Sequence, residues 1–205
     1  MKERKSNYVI AITGGIGSGK SEILRMLKKE YPVFSCDEIA KSLYFDKNVA
    51  KKLKNIFPAA VSEVDLSVDF EELKKQAFSS KENTEKLNKL IHPLTVKKVF
   101  SEAKTKTPQG VSFVEVPLLF ESNTQNKFDG VLVVSRGVEN RIAAVMKRSA
   151  LTCEEVKDRM KSQVDYDSFD YSVCRKPIAF INNDGSREDL VLSAKAKIHE
   201  LMKKI

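Results

Sequence analysis

The stretch GGIGSGKS, residues 14–21, lies between the apolar run YVIAIT (residues 8–13) and the mixed segment EILRMLKK (residues 22–29). It holds four of the eight glycines in the chain. The run before it is short and apolar, as a buried strand is, and the segment after it repeats apolar residues with a helical period. Glycines in such a connection let successive backbone N–H groups turn toward one point. We therefore expect an anion-binding loop rather than a merely flexible glycine turn.

The spacing in this stretch matches the phosphate-loop pattern G-x-x-x-x-G-K-[ST]. The fixed positions are Gly14, Gly19, Lys20 and Ser21. Inward N–H groups and the positive end of the following helix suit a polyphosphate. We expect Lys20 to reach the β- and γ-phosphates, and the Ser21 hydroxyl to bind Mg²⁺. The predicted nucleotide-binding residues of the loop are Gly14, Gly15, Ile16, Gly17, Ser18, Gly19, Lys20, Ser21 and Glu22.

Short apolar segments alternate with helical patterns along the rest of the chain. The predicted strands cover residues 8–13, 33–35, 111–116, 131–134 and 178–181. Strands alternating with helices predict a parallel sheet covered on both faces. The second and third strands are separated by a long segment of almost purely helical pattern, far more than a crossover needs. We predict an α/β three-layer fold of the P-loop NTPase type, with a five-stranded parallel sheet and a helical insertion on the substrate side.

Composition limits the classes of partner. The formal net charge is +8, but the basic residues comprise 28 lysines dispersed along the chain and only 8 arginines, six of them between Arg136 and Arg187. Dispersed lysines are typical of solvated helix faces, so we predict no nucleic-acid partner. The apolar runs are too short to span a membrane, and the opening MKERKSNYVIAIT lacks the length and cleavage site of a signal peptide. We expect a cytoplasmic monomer, or at most a weak homo-oligomer, with its three cysteines reduced.

A nucleoside-triphosphate site is compatible with a switch GTPase, a nucleic-acid-dependent ATPase or a small-molecule kinase. Asn126, Lys127 and Asp129 spell N-K-x-D, which resembles the guanine-reading motif of GTPases. However, polar SNTQ precedes it where an apolar strand is required, and the chain contains no D-x-x-G. We interpret the match as a chance loop.

Four further motifs follow the phosphate loop in order. They are CDEIAK (residues 36–41), LIHP (90–93), VPLLFE (116–121) and IxNxG (181–185). Together with the loop, this ordered set resembles the dephospho-CoA kinase family over residues 8 to about 201. The resemblance implies transfer of the γ-phosphoryl group of MgATP to the ribose 3′-hydroxyl of dephospho-CoA, the final step of coenzyme A biosynthesis. A kinase of the same fold with another acceptor, and a nucleotide binder coupled to nucleic acid, are the alternatives.

The resemblance also implies an organisation for the chain. We expect one P-loop kinase domain over residues 1–205, with the nucleotide-binding core in residues 8–36, 111–140 and 176–205. Residues 38–105 would form the helical substrate-binding region and residues 141–170 the lid.

Asp37 matches the catalytic aspartate of the family. It follows the second predicted strand, at the edge of the sheet where ligands of open α/β folds bind. A carboxylate there can accept the proton of the attacking hydroxyl. The alternative role is an N-cap for a helix beginning at Glu38. The family usually reads D-A-D here, whereas this chain has Ser35, Cys36 and Asp37, so the role of the first carboxylate is lost or falls to a hydroxyl.

The resemblance assigns roles to residues in the second half of the chain. Arg148 is expected to be catalytic together with Lys20 and Asp37, because a lid guanidinium can stabilise charge in the transition state. Ala144 stands where many members have another arginine, and Arg141 shares a helical face with Arg148. The remaining assignments are Mg²⁺ through water for Glu115, nucleotide contact for Asn183 and Gly185, and acceptor contact for His92, Pro117, Leu118, Glu121, Arg159 and Gln163.

Overall fold

The computed structural model describes residues 7–107 and 109–205. The sheet has five strands in the order β2-β3-β1-β4-β5, with parallel pairing of β1 to β3 and β4 and of β4 to β5. Parallel neighbours require crossovers, and helices supply them. The predicted fold class is confirmed. The strands are β1 (Asn7–Thr13), β2 (Val33–Ser35), β3 (Gly110–Glu115), β4 (Gly130–Ser135) and β5 (Ile178–Asn182).

Eight α-helices lie within the described residues. None of them combines the length and apolarity needed to cross a lipid bilayer. Cys36, Cys153 and Cys174 carry free thiols, as predicted. The helices are α1 (Lys20–Leu27), α2 (Cys36–Leu43), α3 (Lys47–Ile56), α4 (Phe70–Ala77), α5 (Lys81–Lys106), α6 (Val138–Arg148), α7 (Cys153–Lys161) and α8 (Arg187–Met202).

The described chain divides into two compact units. The first comprises the residues up to Phe34 and those from Ala103 onward, and it contains the sheet. Its core forms where alternate residues of four strands pack against α1 and α8, since alternate side chains of a strand share one face. The buried members are Ile10, Ile12, Ile23, Leu24, Leu27, Phe113, Leu132, Val134, Ala179, Ile181, Leu190, Ala194, Ile198 and Leu201.

The second unit, Ser35–Glu102, contains α2, α3, α4 and most of α5. The helical insertion predicted between the second and third strands is therefore present. Pro93 lies inside the 26-residue α5. The unit has its own apolar core, formed by Leu43, Val49, Ala50, Leu53, Phe57, Ala60, Val61, Leu73, Ala77, Leu87 and Ile91.

Candidate active site

The glycine-rich loop connects β1 directly to α1, as predicted. Gly17 and Gly19 have φ angles of 78° and 92°, in the left-handed region that disfavours other residues. A Cβ atom at Gly19 would overlap Nδ2 of Asn183, and one at Gly17 would overlap the backbone of Arg141. The glycines are thus required both by backbone conformation and by the close approach of two other segments.

Lys20, the first residue of α1, folds back over this loop. Its Nζ donates to the carbonyl oxygens of Gly14 at 2.6 Å and Gly15 at 3.1 Å. Burial lowers the pKa of Lys20 to about 8; Glu115 opposes this shift, and the positive charges of Arg141 and Arg148 add to it. Positive charge is therefore concentrated around the loop, where a phosphate group would be stabilised.

Arg141 of α6 contacts the loop from its other side. Its side chain is buried, its Nε donates to the carbonyl oxygen of Ile16 at 2.9 Å, and its guanidinium packs against Gly15. Burial lowers the pKa of Arg141, while the negative charge of Asp167 acts in the opposite direction. Arg141 and Val145 are the buried residues of α6. Their i, i+4 spacing was the sequence signal that this arginine faces inward.

The segment that follows α7 also holds the loop. The side-chain oxygen Oε1 of Gln163 accepts a hydrogen bond from the Ile16 N–H at 2.7 Å. The hydroxyls of Tyr166 and Thr13 lie 3.0 Å apart in a buried hydrogen bond. Burial raises the pKa of Tyr166 to about 12. Sequence reasoning missed Tyr166 because no motif includes it. The substrate-binding role predicted for Gln163 stays a prediction beside this contact with the loop.

Asn183 links the end of β5 to the same loop, because its Nδ2 donates to the Ser18 carbonyl oxygen at 2.9 Å. Next to it, the Asp184 carboxylate accepts from the Gly137 N–H at 2.9 Å and from Asn140 Nδ2 at 2.8 Å, which holds the start of α6. Gly185 is exposed in the turn before α8. The structure therefore brings Asn183 to the loop. Adenine contact by Asn183 and Gly185 stays a prediction.

Glu22 lies in the first turn of α1, beside Ser21. Its carboxylate forms ion pairs with Arg25 and Arg187, each at 2.8 Å.

Two predicted magnesium ligands differ in burial: Ser21 is exposed, and Glu115 is half-buried at the end of β3. A hydroxyl and a carboxylate are oxygen ligands of the kind that Mg²⁺ prefers.

Arg148 is the last residue of α6, and its side chain is exposed. With Arg136, Asn140 and Lys147 it lines an open hollow of about 430 Å³. Its charge is close enough to contribute to the low pKa of Lys20. Arg159 is exposed on α7. An exposed arginine at a helix end is free to reorient toward a bound anion.

The predicted acceptor residues after β3 differ in burial. Pro117 is half-buried and Leu118 is 45% exposed, whereas the two residues after them are buried. Glu121 uses Oε1 to accept from the Val164 N–H at 2.9 Å, so it fixes the segment that carries Gln163. An acceptor role for these residues stays a prediction.

In the helical unit, Asp37 is the second residue of α2 and is exposed. The N-cap is Ser35, whose hydroxyl accepts from the Glu38 N–H at 3.4 Å. The capping role considered for Asp37 is wrong, because the helix begins at Cys36 and Ser35 has the extended backbone that a cap requires. His92 is exposed on α5, and partial burial of its ring lowers its pKa.

Comparison with known proteins identifies the family. A family model described as dephospho-CoA kinase matches residues 8–188. The chain belongs to the dephospho-CoA kinase family. The dephospho-CoA kinase of Thermus thermophilus is 35% identical over 201 residues, which cover 97% of this chain and 94% of that protein.

Solved structures agree with this membership. A crystal structure of a Thermus thermophilus protein is 34% identical with a TM-score of 0.76, covering 96% of this chain and 99% of the other. The dephospho-CoA kinase of Campylobacter jejuni is 25% identical with a TM-score of 0.68, covering 96% of this chain and 98% of the other. The sheet order and the glycine loop thus belong to the fold of the dephospho-CoA kinase family.

Proposed function

We propose that the protein transfers the γ-phosphoryl group of ATP to the ribose 3′-hydroxyl of dephospho-CoA, yielding coenzyme A and ADP. The observation that carries this proposal is the phosphate loop itself, with its glycines at positive φ and Lys20 folded over it. The chain that holds this loop matches the dephospho-CoA kinase family over residues 8–188. A nucleoside monophosphate kinase of the same fold is the second enzymatic candidate. Family membership favours dephospho-CoA.

On the donor side, the backbone N–H groups of the loop would hold the β-phosphate. Lys20 would leave the carbonyls of Gly14 and Gly15 for the phosphate oxygens, since a phosphate carries more negative charge than a peptide carbonyl. Arg148 would place its positive charge where negative charge develops in the loose transition state. Asn183, which holds the Ser18 carbonyl, keeps the loop in its binding conformation.

Mg²⁺ fits the oxygen donors at the end of the loop. We propose that the Ser21 hydroxyl binds it directly and that Glu115 binds it through water. The ion would neutralise negative charge on the β- and γ-phosphates. Lys20, Arg148 and the loop amides would then orient the triphosphate for attack.

On the acceptor side, we propose that Asp37 orients the 3′-hydroxyl and takes its proton. Two observations support this role. The Asp37 carboxylate is exposed, and the helix N-cap is supplied by Ser35 instead. Ser35, which stands at the position of the first family carboxylate, uses its hydroxyl to cap the backbone of α2.

The remaining parts of the proposal concern the cellular setting. We place the enzyme in the cytoplasm as a monomer, or at most a weak homo-oligomer, whose partners are ATP and dephospho-CoA and not nucleic acid or membrane. Free thiols at all three cysteines support a reducing compartment.

A coupled assay of ADP release tests the function. We expect dephospho-CoA to stimulate turnover strongly in the presence of ATP and Mg²⁺, and nucleoside monophosphates, RNA and DNA to leave it near the background rate. Lys20→Ala should weaken ATP binding and lower kcat. Stimulation by nucleic acid, with no response to dephospho-CoA, would refute the proposal.

A further inference from the structure

Tyr166 is held at three points, although no sequence motif includes it. Its ring packs edge-on against that of Phe120, with the ring centroids 6.2 Å apart. Its backbone carbonyl oxygen accepts a hydrogen bond from the Tyr171 hydroxyl at 2.7 Å. Its own hydroxyl shares a hydrogen bond with the Thr13 hydroxyl at 3.0 Å. The residue is only 6% exposed, so its ring has little freedom to leave this position.

The ring belongs to a larger aromatic cluster, which we define as Phe120, Tyr166, Phe169, Tyr171 and Phe180. The ring centroids of Phe169 and Tyr171 lie 4.6 Å and 5.5 Å from that of Phe120. Tyr171 extends the cluster to Phe180 on β5, where the centroids are 4.8 Å apart. Aromatic pairs in such edge-on and tilted arrangements stabilise one another beyond the area that they bury. The cluster therefore forms a rigid support that joins the segments after β3 and α7 to β5.

The hydroxyl of the supported ring lies at the junction between β1 and the phosphate loop. Thr13 is the last residue of β1 and is fully buried. Burial raises the pKa of Tyr166 to about 12, whereas hydrogen bonding to Thr13 and to the Gly14 N–H opposes this rise. The Tyr166 oxygen thus faces both residues of the junction, and it stays protonated at neutral pH. It acts there as a neutral hydrogen-bonding group and not as a charge.

Gly14 connects this junction to Lys20. The Gly14 carbonyl oxygen accepts a hydrogen bond from Lys20 Nζ at 2.6 Å. Gly14 also lies so close to the Val134 carbonyl of β4 that a Cβ atom would overlap it. The position of Gly14 is therefore set by β4 and by the Tyr166 hydroxyl together. A shift of that hydroxyl would move the peptide unit that holds Lys20, and with it the N–H groups that follow in the loop.

Packing alone does not account for the Tyr166 hydroxyl. A phenylalanine ring would fill the same space and make the same contact with Phe120. A buried hydroxyl loses its hydrogen bonds to water, and a partner inside the protein returns little more than that loss. The hydroxyl therefore brings only modest stability. Its distinguishing property is that it fixes the aromatic cluster to Thr13 at one distance.

We propose that Tyr166 is a positioning residue of the phosphoryl-donor site, whose hydroxyl sets the junction of β1 with the phosphate loop and so orients Lys20 and the loop N–H groups toward the triphosphate. The inference rests on the proposed function, because it takes ATP as the ligand of the loop. It adds a residue that lies outside every motif, and a physical link between the loop and the aromatic cluster.

Tyr166→Phe tests this role, because the variant keeps the ring and its packing and should fold. We expect Kd for MgATP, measured by calorimetry without acceptor, to rise about fivefold, as the loss of one neutral hydrogen bond predicts. KM for ATP should rise by the same factor, whereas KM for dephospho-CoA should stay at its wild-type value. A general loss of stability would not separate the two substrates in this way.

Thr13 allows the same bond to be removed from its other end. Thr13→Val replaces the hydroxyl by a methyl group and should also raise Kd for MgATP about fivefold. Thr13→Ser keeps the hydroxyl and should bind MgATP as the wild type does. Combining Tyr166→Phe with Thr13→Val should weaken binding no further than either change alone, because both remove one shared bond. A multiplied effect of about 25-fold would show that the two residues act independently and would overturn the proposal.

Asn126→Ala is the matched control for lost stability. Asn126 donates from Nδ2 to the Val173 carbonyl oxygen at 3.1 Å and accepts with Oδ1 from the Arg175 N–H at 2.7 Å. These residues precede β4 and β5, at the edge of the parallel sheet opposite to the carboxyl ends, where the phosphate loop begins. We expect Asn126→Ala to lower the melting temperature about as much as Tyr166→Phe and to leave Kd for MgATP unchanged. Equal weakening of MgATP binding in both variants would assign the effect to stability and overturn the proposal.

The outcomes separate the positioning role from the proposed function. An unchanged Kd for MgATP in Tyr166→Phe, with wild-type turnover of dephospho-CoA, would overturn the positioning role and leave the function standing. A higher Kd in Tyr166→Phe, in a wild-type protein that does not turn over dephospho-CoA, would uphold the positioning role and overturn the choice of acceptor. Absence of MgATP binding to the wild type would overturn both.

Discussion

Replacing Arg141 by alanine should weaken the phosphate loop more than replacing the exposed Arg148. The change removes the Nε donor to Ile16 at 2.9 Å and the contact with Gly15. A hydrogen bond from a charged donor contributes about 1.5–3 kcal/mol. Part of this loss in stability is offset. Burial lowers the pKa of Arg141, which indicates that desolvating the charged guanidinium costs more free energy than its attraction to Asp167 recovers. We expect a net loss of about 2 kcal/mol in unfolding free energy, within the common range for point variants.

The assay compares Arg141→Ala with Arg148→Ala on the same helix. For a chain of this length, about 2 kcal/mol corresponds to a fall in melting temperature of about 4–8 °C. KM for ATP should rise about tenfold, since losing a loop contact of about 1.4 kcal/mol has that effect. Arg148→Ala, whose side chain is exposed, should leave the melting temperature within about 2 °C but lower kcat.

The reasoning about Arg141 fails if the two variants behave alike. In particular, an unchanged melting temperature and an unchanged KM for ATP in Arg141→Ala would show that the buried guanidinium does not support the loop. An equal loss of kcat without loss of stability would instead give Arg141 the catalytic role that is proposed for Arg148.

Three further predictions concern single groups. Burial lowers the pKa of free Lys20 to about 8, and a bound triphosphate should raise this pKa again. Calorimetry in buffers of different ionisation enthalpy should therefore detect proton uptake when ATP binds near pH 8.5, and no uptake at pH 6.5 or in Lys20→Met. Proton uptake in Lys20→Met would exclude Lys20 as the group that takes up the proton. Ser35→Ala removes the N-cap of α2 and should lower the free energy of unfolding by about 1 kcal/mol in denaturant unfolding. Asp37→Asn should lower it by less than about 0.5 kcal/mol. A larger loss in Asp37→Asn than in Ser35→Ala would restore Asp37 as the cap. Tyr166→Phe removes the buried hydroxyl that bonds Thr13 and should cost about 1 kcal/mol in the same unfolding assay, and equal stability would show that this bond contributes nothing net.

The sheet and its helices could be predicted because their signals are local. Short β-branched runs, helical periods and a glycine loop of fixed spacing each report on a few neighbouring residues. β2 was predicted with its observed bounds, Val33–Ser35, and the other strands to within one residue at each end. The start of α2 was placed two residues late, because both Ser35 and Asp37 can cap a helix and the sequence does not say which backbone is extended.

The contacts that hold the phosphate loop could not be predicted, because they join segments far apart in the chain. Gln163 lies 147 residues from Ile16, and Arg141 lies 125 residues from it. A polar side chain carries no local sign of the carbonyl or N–H group that it will meet. Motif matching thus found the loop and the residues within it, but it did not show that Gln163 and Arg141 contact Ile16.

The identity of the phosphorylated product tests the central claim most directly. Wild-type protein incubated with ATP, Mg²⁺ and dephospho-CoA should form coenzyme A and ADP in equal amounts, with a new 3′-phosphomonoester signal in the ³¹P NMR spectrum. Asp37→Asn, which should fold and bind ATP normally, should form it at least about 100-fold more slowly. A phosphate at another position, or ADP formed without any phosphorylated acceptor, would contradict the account.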